Sequence, residues 1–192
     1  MAEHEPPGIA FLMGERVALR PLERSDAPSL VRWLNDPEVR EGLATFQPLT
    51  LEAEHAFLET LTRAQDRVVL GIVERSTGSL VGACGLDTIF WKDRRAVFGI
   101  FVGEKSRWGQ GLGREATELV LDHAFGTLGL NRVELHVYAY NARAIRTYRA
   151  VGFVHEGTLR EHHFHDGRFV DSLAMSVLRE DWVRRTRPAA SS

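Results

Sequence analysis

The sequence predicts a mixed α/β layer fold on a largely antiparallel sheet, in the order β-α-α-β-β-β-α-β-α-β-β. Three observations carry that expectation. Strand-like runs follow one another between residues 67 and 102 with only short turns between them, so neighbours must run antiparallel. Other segments repeat apolar residues at helical spacing. Two further strand-like runs flank Asp166-Gly167, a two-residue hairpin turn.

Each element has its own signal. "RVALRPL" alternates as a first strand. "SDAPSLVRWLND" follows as a helix, with Ser25 or Asp26 as N-cap, Ala27, Leu30, Val31 and Leu34 on one face, and Pro37 as its stop. Thr50 opens a second helix, "LEAEHAFLETLTRA", whose first turn carries Glu52 and Glu54, where the helix dipole favours anions. "RVVLGIVE" and "SLVGACGL" form a hairpin across "RSTG", and "WKDRR" turns the chain into "AVFGIFV". A glycine loop leads into the long helix "REATELVLDHAFGTL", which Gly129 caps. "RVELHVYA" is a strand and "NARAIRTYRAV" a helix with Gly152 just past its end. "FVHEGTL" and "FVDSLAMSVL" close the order, and residues 1–10 and 186–192 read as frayed ends.

The chain has 192 residues, of which 44% are hydrophobic, which suits a single domain over 1–192 with a full core. A formal net charge of −2 argues against nucleic acid as a partner. Cys84 is the sole cysteine, which rules out an intrachain disulfide, and its apolar setting points to a buried, inert thiol. "IAFLM" is too short for a signal-peptide core or a membrane span, so the reading is a soluble cytoplasmic protein without a membrane partner.

The informative stretch is "RWGQGLGREA", Arg107 to Ala116. Glycine is costly to order, so a cluster of them calls for a reason. A strand ends at Val102 and a helix starts near Gly113, so the unpaired N–H groups of its first turn and its dipole face the loop. Such a place suits phosphate or pyrophosphate. "GLGREA" also fits the dinucleotide pattern G-x-G-x-x-A, but it follows an antiparallel meander, and Glu134, near the distance expected for the ribose-binding acid, lies inside a strand. A Walker A loop fails because no Gly-Lys-Ser/Thr follows.

The run "FGIFVGEKSRWGQGLGREATELVLDHAF" resembles the acetyl-CoA-binding segment of the Gcn5-related N-acetyltransferases. The likeness is to the branch that includes ribosomal-protein alanine acetyltransferases and bacterial polyamine acetyltransferases. It extends over "LRPLERSDAPSLVRWLNDPEV" and over the C-terminal half from Val133 to Asp181. The resemblance implies a central sheet with helices on both faces, acetyl-CoA as co-substrate without a metal, and an amine-bearing acceptor. A homodimer stays open as the assembly. It places the coenzyme pyrophosphate on the backbone of Trp108, Gly109, Gln110, Gly111, Leu112 and Gly113, with Arg114 adding charge and with Gln110 and Leu112 free to vary. It places the pantetheine arm along Phe101 and Val102, on a strand end that splays from its neighbour, and against Asn141. Asn141 also reads as a helix N-cap.

Tyr148 matches the family tyrosine that points at the coenzyme sulfur, where a hydroxyl would protonate the leaving thiolate; its other role is a half-buried core aromatic. Many relatives carry a glutamate base where this chain has Val97 in "AVFG". His163 is the alternative base. It shares a strand face with His165, its ordinary pKa near 6.5 suits proton acceptance, and related ribosomal-protein enzymes have an acid near its place. Water, a metal pair with His165 and Asp166, or a plain surface hairpin are the other readings. Asp171 orients an ammonium or locks the hairpin. Residues 40–48 form a wall of the acceptor pocket in the family, with Glu41 as their one acid. The function expected is acetyl transfer from acetyl-CoA to a primary amine on a protein N-terminus, a polyamine or a small molecule. A non-catalytic acyl-CoA-binding module is the alternative.

Overall fold

The structure, a computed structural model, describes residues 9–186. Residues 1–8 and 187–192, where most of the expected fraying falls, lie outside the described residues. The chain forms two compact units: the first holds residues up to Asp87 with Gly99–Val120, the second Thr88–Phe98 with residues from Leu121 on.

In the first unit, β1 (Leu12–Met13), β2 (Val17–Pro21), β3 (Val68–Glu74) and β4 (Ser79–Phe90) pair in that order, all antiparallel, with a bulge in β3 between Ile72 and Val73. The C-terminal part of β5 (Arg95–Val102) completes the set. The helices are α1 (Ala27–Leu34), α2 (Pro37–Arg40), α3 (Leu51–Leu61) and the start of α4 (Leu112–Asp122). Leu30 and Trp33 of α1, Val39 of α2 and Leu58 of α3 are buried together with Ala83 of β4. Phe101 and Trp108 pack on that cluster, so the strand end and the loop share its apolar support.

Local chemistry departs from expectation at two points here. Asp26 does not bond to the first amides of α1. Its carboxylate takes the Arg20 guanidinium at 2.7 and 2.8 Å and the Glu23 N–H at 2.8 Å. Arg20 is 5% exposed, and a buried cation needs that partner more than a helix end, open to water, needs a cap. Pro37 does not merely stop α1. It is the first residue of α2, capped by Asp36 accepting from the Glu38 N–H at 2.9 Å. Proline at the first helical position loses no bond, because that N–H has no acceptor in a helix anyway. Thr50 caps α3 as expected, accepting from the Ala53 N–H at 3.1 Å.

In the second unit, the N-terminal part of β5 pairs in parallel with β6 (Arg132–Tyr138) from Arg95↔Arg132 to Val97↔Glu134. β8 (Arg168–Leu178) lies between β6 and β7 (Val154–His165), antiparallel to both. Asp166 and Gly167 make the β7–β8 turn with φ of 47° and 77°, both in the left-handed region that Asp-Gly tolerates. α5 (Ala142–Val151) ends at Gly152, φ 119°. The helix that begins with α4 ends in a π turn, His123–Thr127, and Gly129 follows at φ 64°.

Three elements exceed the expected order: the short β1, α2, and α6 (Arg179–Thr186), where Thr186 ends a helix rather than opening a frayed tail. Two residues anchor α6: Arg185, whose guanidinium donates to the Ala150 carbonyl at 2.5 Å, and Trp182. Trp182 is 4% exposed, donates its indole N–H to Asp122 at 2.8 Å and lies against the Phe125 ring. Cys84 is 3% exposed, and burial pushes its thiol well above the usual range. No helix among the described residues is long and apolar enough to cross a membrane.

Candidate active site

The first unit carries the loop. Trp108 leaves a short 3-10 turn (Lys105–Arg107), and its indole N–H donates to the Val102 carbonyl at 2.6 Å, tying the loop to the end of β5. Gly109 and Gly111 have φ of 74° and 83°, a conformation that side-chain-bearing residues adopt at a cost. The first intrahelical bond of α4 runs from the Glu115 N–H to the Gly111 carbonyl. The amides of Leu112, Gly113 and Arg114 therefore have no acceptor within the helix and point out of its N-terminus. With the dipole, they form a concave set of donors suited to an anion.

The side chains around this backbone divide into three groups. Leu112, expected to vary freely, is 1% exposed; its backbone faces the loop while its side chain fills the core, so its size is fixed. Gln110, also expected to vary, donates to the Ser106 carbonyl at 2.7 Å and so braces the loop. Arg114 spends its Nε–H on Glu118 at 3.0 Å, one turn along the exposed face of α4.

The sequence reading missed Arg16. The Glu115 carboxylate accepts the backbone N–H groups of Arg16 and Val17 at 2.8 and 3.3 Å, docking the β1–β2 turn onto α4. The Arg16 guanidinium then stands 3.4 Å from where a Cβ on Gly111 would lie. It is a cation at the mouth of the loop, about a hundred residues away in sequence. Only a glutamate in the first turn of α4 hinted at it, and that position reads equally well as a dipole partner.

Phe101 and Val102 are half-buried at the end of β5, with the Phe101 ring edge-on to Trp33 at 6.5 Å. The β5–β6 pairing stops at Val97, while β5 runs on to Val102. Its last residues thus have strand backbone beyond that ladder. Gly103 then passes under Trp33 so closely that a Cβ there would fall 2.2 Å from the indole.

Lys105 Nζ binds both Asp36 and Glu38 at 2.8 Å, joining the first turn of α2 to the loop's entry. That pair holds the Asp36 carboxyl below the usual range. The 40–48 segment is pinned by Asn35, whose side chain both donates to and accepts from the Leu49 backbone, at 2.8 and 2.9 Å.

The second unit carries Asn141, Tyr148 and His163. Asn141 caps α5, its Oδ1 accepting from the Ala144 N–H at 3.1 Å; the Nδ2 donors are a separate group. Tyr148 sits on α5, its ring 6.4 Å edge-on to Phe98 and 5.6 Å from Phe153. Burial pushes its hydroxyl up to about 12, so it holds its proton throughout the neutral range. His163 stacks flat on Tyr138 at 3.8 Å, and His165 on Tyr140 at 4.4 Å, so the two histidines do share one face. Burial first, then His165 and His162, lower the pKa of His163 and favour its neutral form. Asp171 accepts the Glu161 N–H at 2.9 Å and so fastens β8 to the bulged part of β7. No group of three or more metal-ligating side chains occurs among the described residues.

Residues 16–154 match the model of the acetyltransferase (GNAT) domain. An uncharacterized N-acetyltransferase, p20, of Bacillus licheniformis is 29% identical over 90% of this chain and 98% of its own length. The spermidine N(1)-acetyltransferase of Vibrio cholerae is 28% identical over 91% of this chain and 99% of its own. A crystal structure of spermidine N-acetyltransferase from Vibrio cholerae in complex with CoA and spermine superposes with a TM-score of 0.83 at 25% identity, covering 88% of this chain and 99% of that one.

Proposed function

The chain belongs to the acetyltransferase (GNAT) family, and we propose on that premise that it transfers acetyl from acetyl-CoA to a primary amine, with its glycine loop holding the coenzyme pyrophosphate. The observation that carries the loop's role is the pair of left-handed glycines leading into amides that α4 cannot satisfy. The residues fit such a coenzyme. Amides of 109–113 and the Arg16 cation suit two phosphates, the end of β5 beyond Val97 suits an extended amide-bearing arm, and the Asn141 Nδ2 suits one of its carbonyls. Bound acetyl-CoA would supply the activated acyl group.

Tyr148 supplies the proton that the departing sulfur needs. Its raised pKa keeps it a donor at neutral pH, and its packing on Phe98 and Phe153 restricts the ring's direction. A positioned acid of this kind contributes roughly 10²–10⁴-fold. Val97 carries no carboxylate, so proton removal from the amine needs another group; His163, whose neutral form is favoured, and water are two candidates.

The acceptor is a primary amine. Polyamines belong in the test panel because named relatives acetylate spermidine. The 40–48 segment, a wall of the acceptor pocket by the resemblance, carries Glu41 as its one acid, which gives a strongly polycationic acceptor little support there. The test is release of free CoA thiol from acetyl-CoA across α-amino peptides, alkyl monoamines and polyamines. Turnover of at least one amine is expected. Tight CoA binding without turnover of any would leave only a binding module.

A further inference from the structure

We propose that Asp87 is the group that takes the proton from the acceptor amine. The inference rests on the transferase reading and deepens it.

Val97 stands where a carboxylate would be expected, but β5 offers another opening two residues on. Gly99 carries no side chain, and the Asp87 carboxylate fills the space over it: a Cβ at Gly99 would lie 2.9 Å from Oδ2. Side chains two apart on a strand share a face. Asp87 therefore lies on the face of β4 that holds Ala83 and Gly85, and Gly99 on the face of β5 that holds Phe101. Ala83 and Phe101 both pack on the α1–α3 cluster, so the carboxylate looks to the same side as the helices that flank the 40–48 segment. Gly99 and Phe101 are two strand positions apart, about 7 Å of backbone, which brings the carboxylate near the start of the stretch offered to the pantetheine arm.

The surroundings suit a base. Asp87 reaches solvent, as a group that meets a substrate must. Protein around it still raises its carboxyl above the ordinary carboxylate range, and Arg67, the charged neighbour, pulls the other way. Arg67 leans instead on Asp66, at 3.8 Å. A carboxylate lined by glycine on a strand interior is an odd use of two positions whose usual role is packing, and the proton transfer gives it a purpose.

The step balances. The substrate ammonium gives one proton to Asp87, and the freed lone pair forms the C–N bond at the thioester carbonyl carbon. The C–S bond then breaks with its electron pair on sulfur. Sulfur takes the Tyr148 proton, Tyr148 recovers one from the new C–N nitrogen through water, and Asp87 releases its own to solvent.

The test measures kcat and KM for the full chain and for Asp87→Asn, Gly99→Ala and His163→Ala at pH 7.5. Two acceptors serve: an alkyl amine with a pKa of about 10 and an α-amino peptide with a pKa of about 8. Asp87→Asn should lose roughly 100-fold in kcat with the alkyl amine. Its loss should be under about tenfold with the α-amine, much more of which is already deprotonated. The KM for acetyl-CoA should stay within about twofold of wild type. Gly99→Ala should lower kcat without lowering Tm, since only the end of the Asp87 side chain must move. The idea is overturned by wild-type kcat in Asp87→Asn, by equal losses on both amines with a lower Tm, or by the amine-dependent loss appearing in His163→Ala instead. A wild-type chain that binds acetyl-CoA and acetylates no amine would end the transferase reading, and this inference with it.

Discussion

The glycine loop and the tyrosine–histidine hairpin solve opposite problems. Around Trp108 to Gly113 the useful groups are backbone amides, and the side chains brace them: Leu112 in the core, Gln110 on Ser106, Glu115 on the β1–β2 turn. In the β7–β8 hairpin and on α5 the useful groups are side chains, and the backbone serves to stack them, His163 on Tyr138 and His165 on Tyr140. A site made of backbone is set by φ angles and tolerates little added bulk. A site made of rings is set by packing and tolerates isosteric change in its scaffold but not in its acids and bases. Binding should therefore follow the first region and chemistry the second.

The sharpest test of that division is Tyr148→Phe, which keeps the ring contacts with Phe98 and Phe153. Turnover should drop roughly 100-fold or more, with acetyl-CoA affinity unchanged by calorimetric titration. Full turnover would remove Tyr148 from the chemistry. Next in size is Gly111→Val. A β-branched residue at φ 83°, with its Cβ against Arg16, should raise the dissociation constant for CoA at least tenfold, about 1.4 kcal/mol. Turnover at saturating coenzyme should stay near wild type; a loss confined to kcat would break the comparison.

Arg16→Ala should weaken CoA by a smaller factor, roughly fivefold or about 1 kcal/mol, because an exposed cation is screened. The deficit should shrink at high salt and be absent for dephospho-pantetheine fragments that lack the pyrophosphate. The smallest effect lies in the scaffold under the hairpin. Arg132 holds Glu156 down to about 2, aided by the Ser176 hydroxyl. Its folded pKa is depressed, so its contribution is present above the unfolded value of about 4.3 and is lost as pH falls toward 2. Thermal melts of Glu156→Gln should therefore fall less steeply than wild type between those pH values, while Gly111→Val should keep the wild-type slope.

What could be read from the sequence follows the same line. The loop, the start of α4, the Asn141 cap and the Gly152 stop are local devices, each announced by a few adjacent residues, and each stands where it was expected. The misses are non-local. Arg16 reaches the loop only through Glu115, and Asp26 leaves its cap for Arg20 because that arginine is buried by folding. α6 is polar along most of its length and depends on Trp182 finding Asp122 and Phe125, contacts that no periodicity in "REDWVRRT" announces. Leu112 read as loop backbone because its burial is a property of the core beneath it. Asp87 stayed hidden because the glycine that makes room for it is on another strand.

The hydrogen bond from the Trp108 indole to the Val102 carbonyl has a spectroscopic consequence. An excited indole is a stronger N–H donor than one in its ground state, so its emission energy and lifetime depend on the length of that bond. The loop thus contains its own fluorophore, wired to the strand end along which the coenzyme arm would lie. Anything that shifts Val102 or the amides after Trp108 would register in that one tryptophan. The difference between the emission of the wild type and that of Trp108→Phe separates this signal from those of Trp33, Trp91 and Trp182.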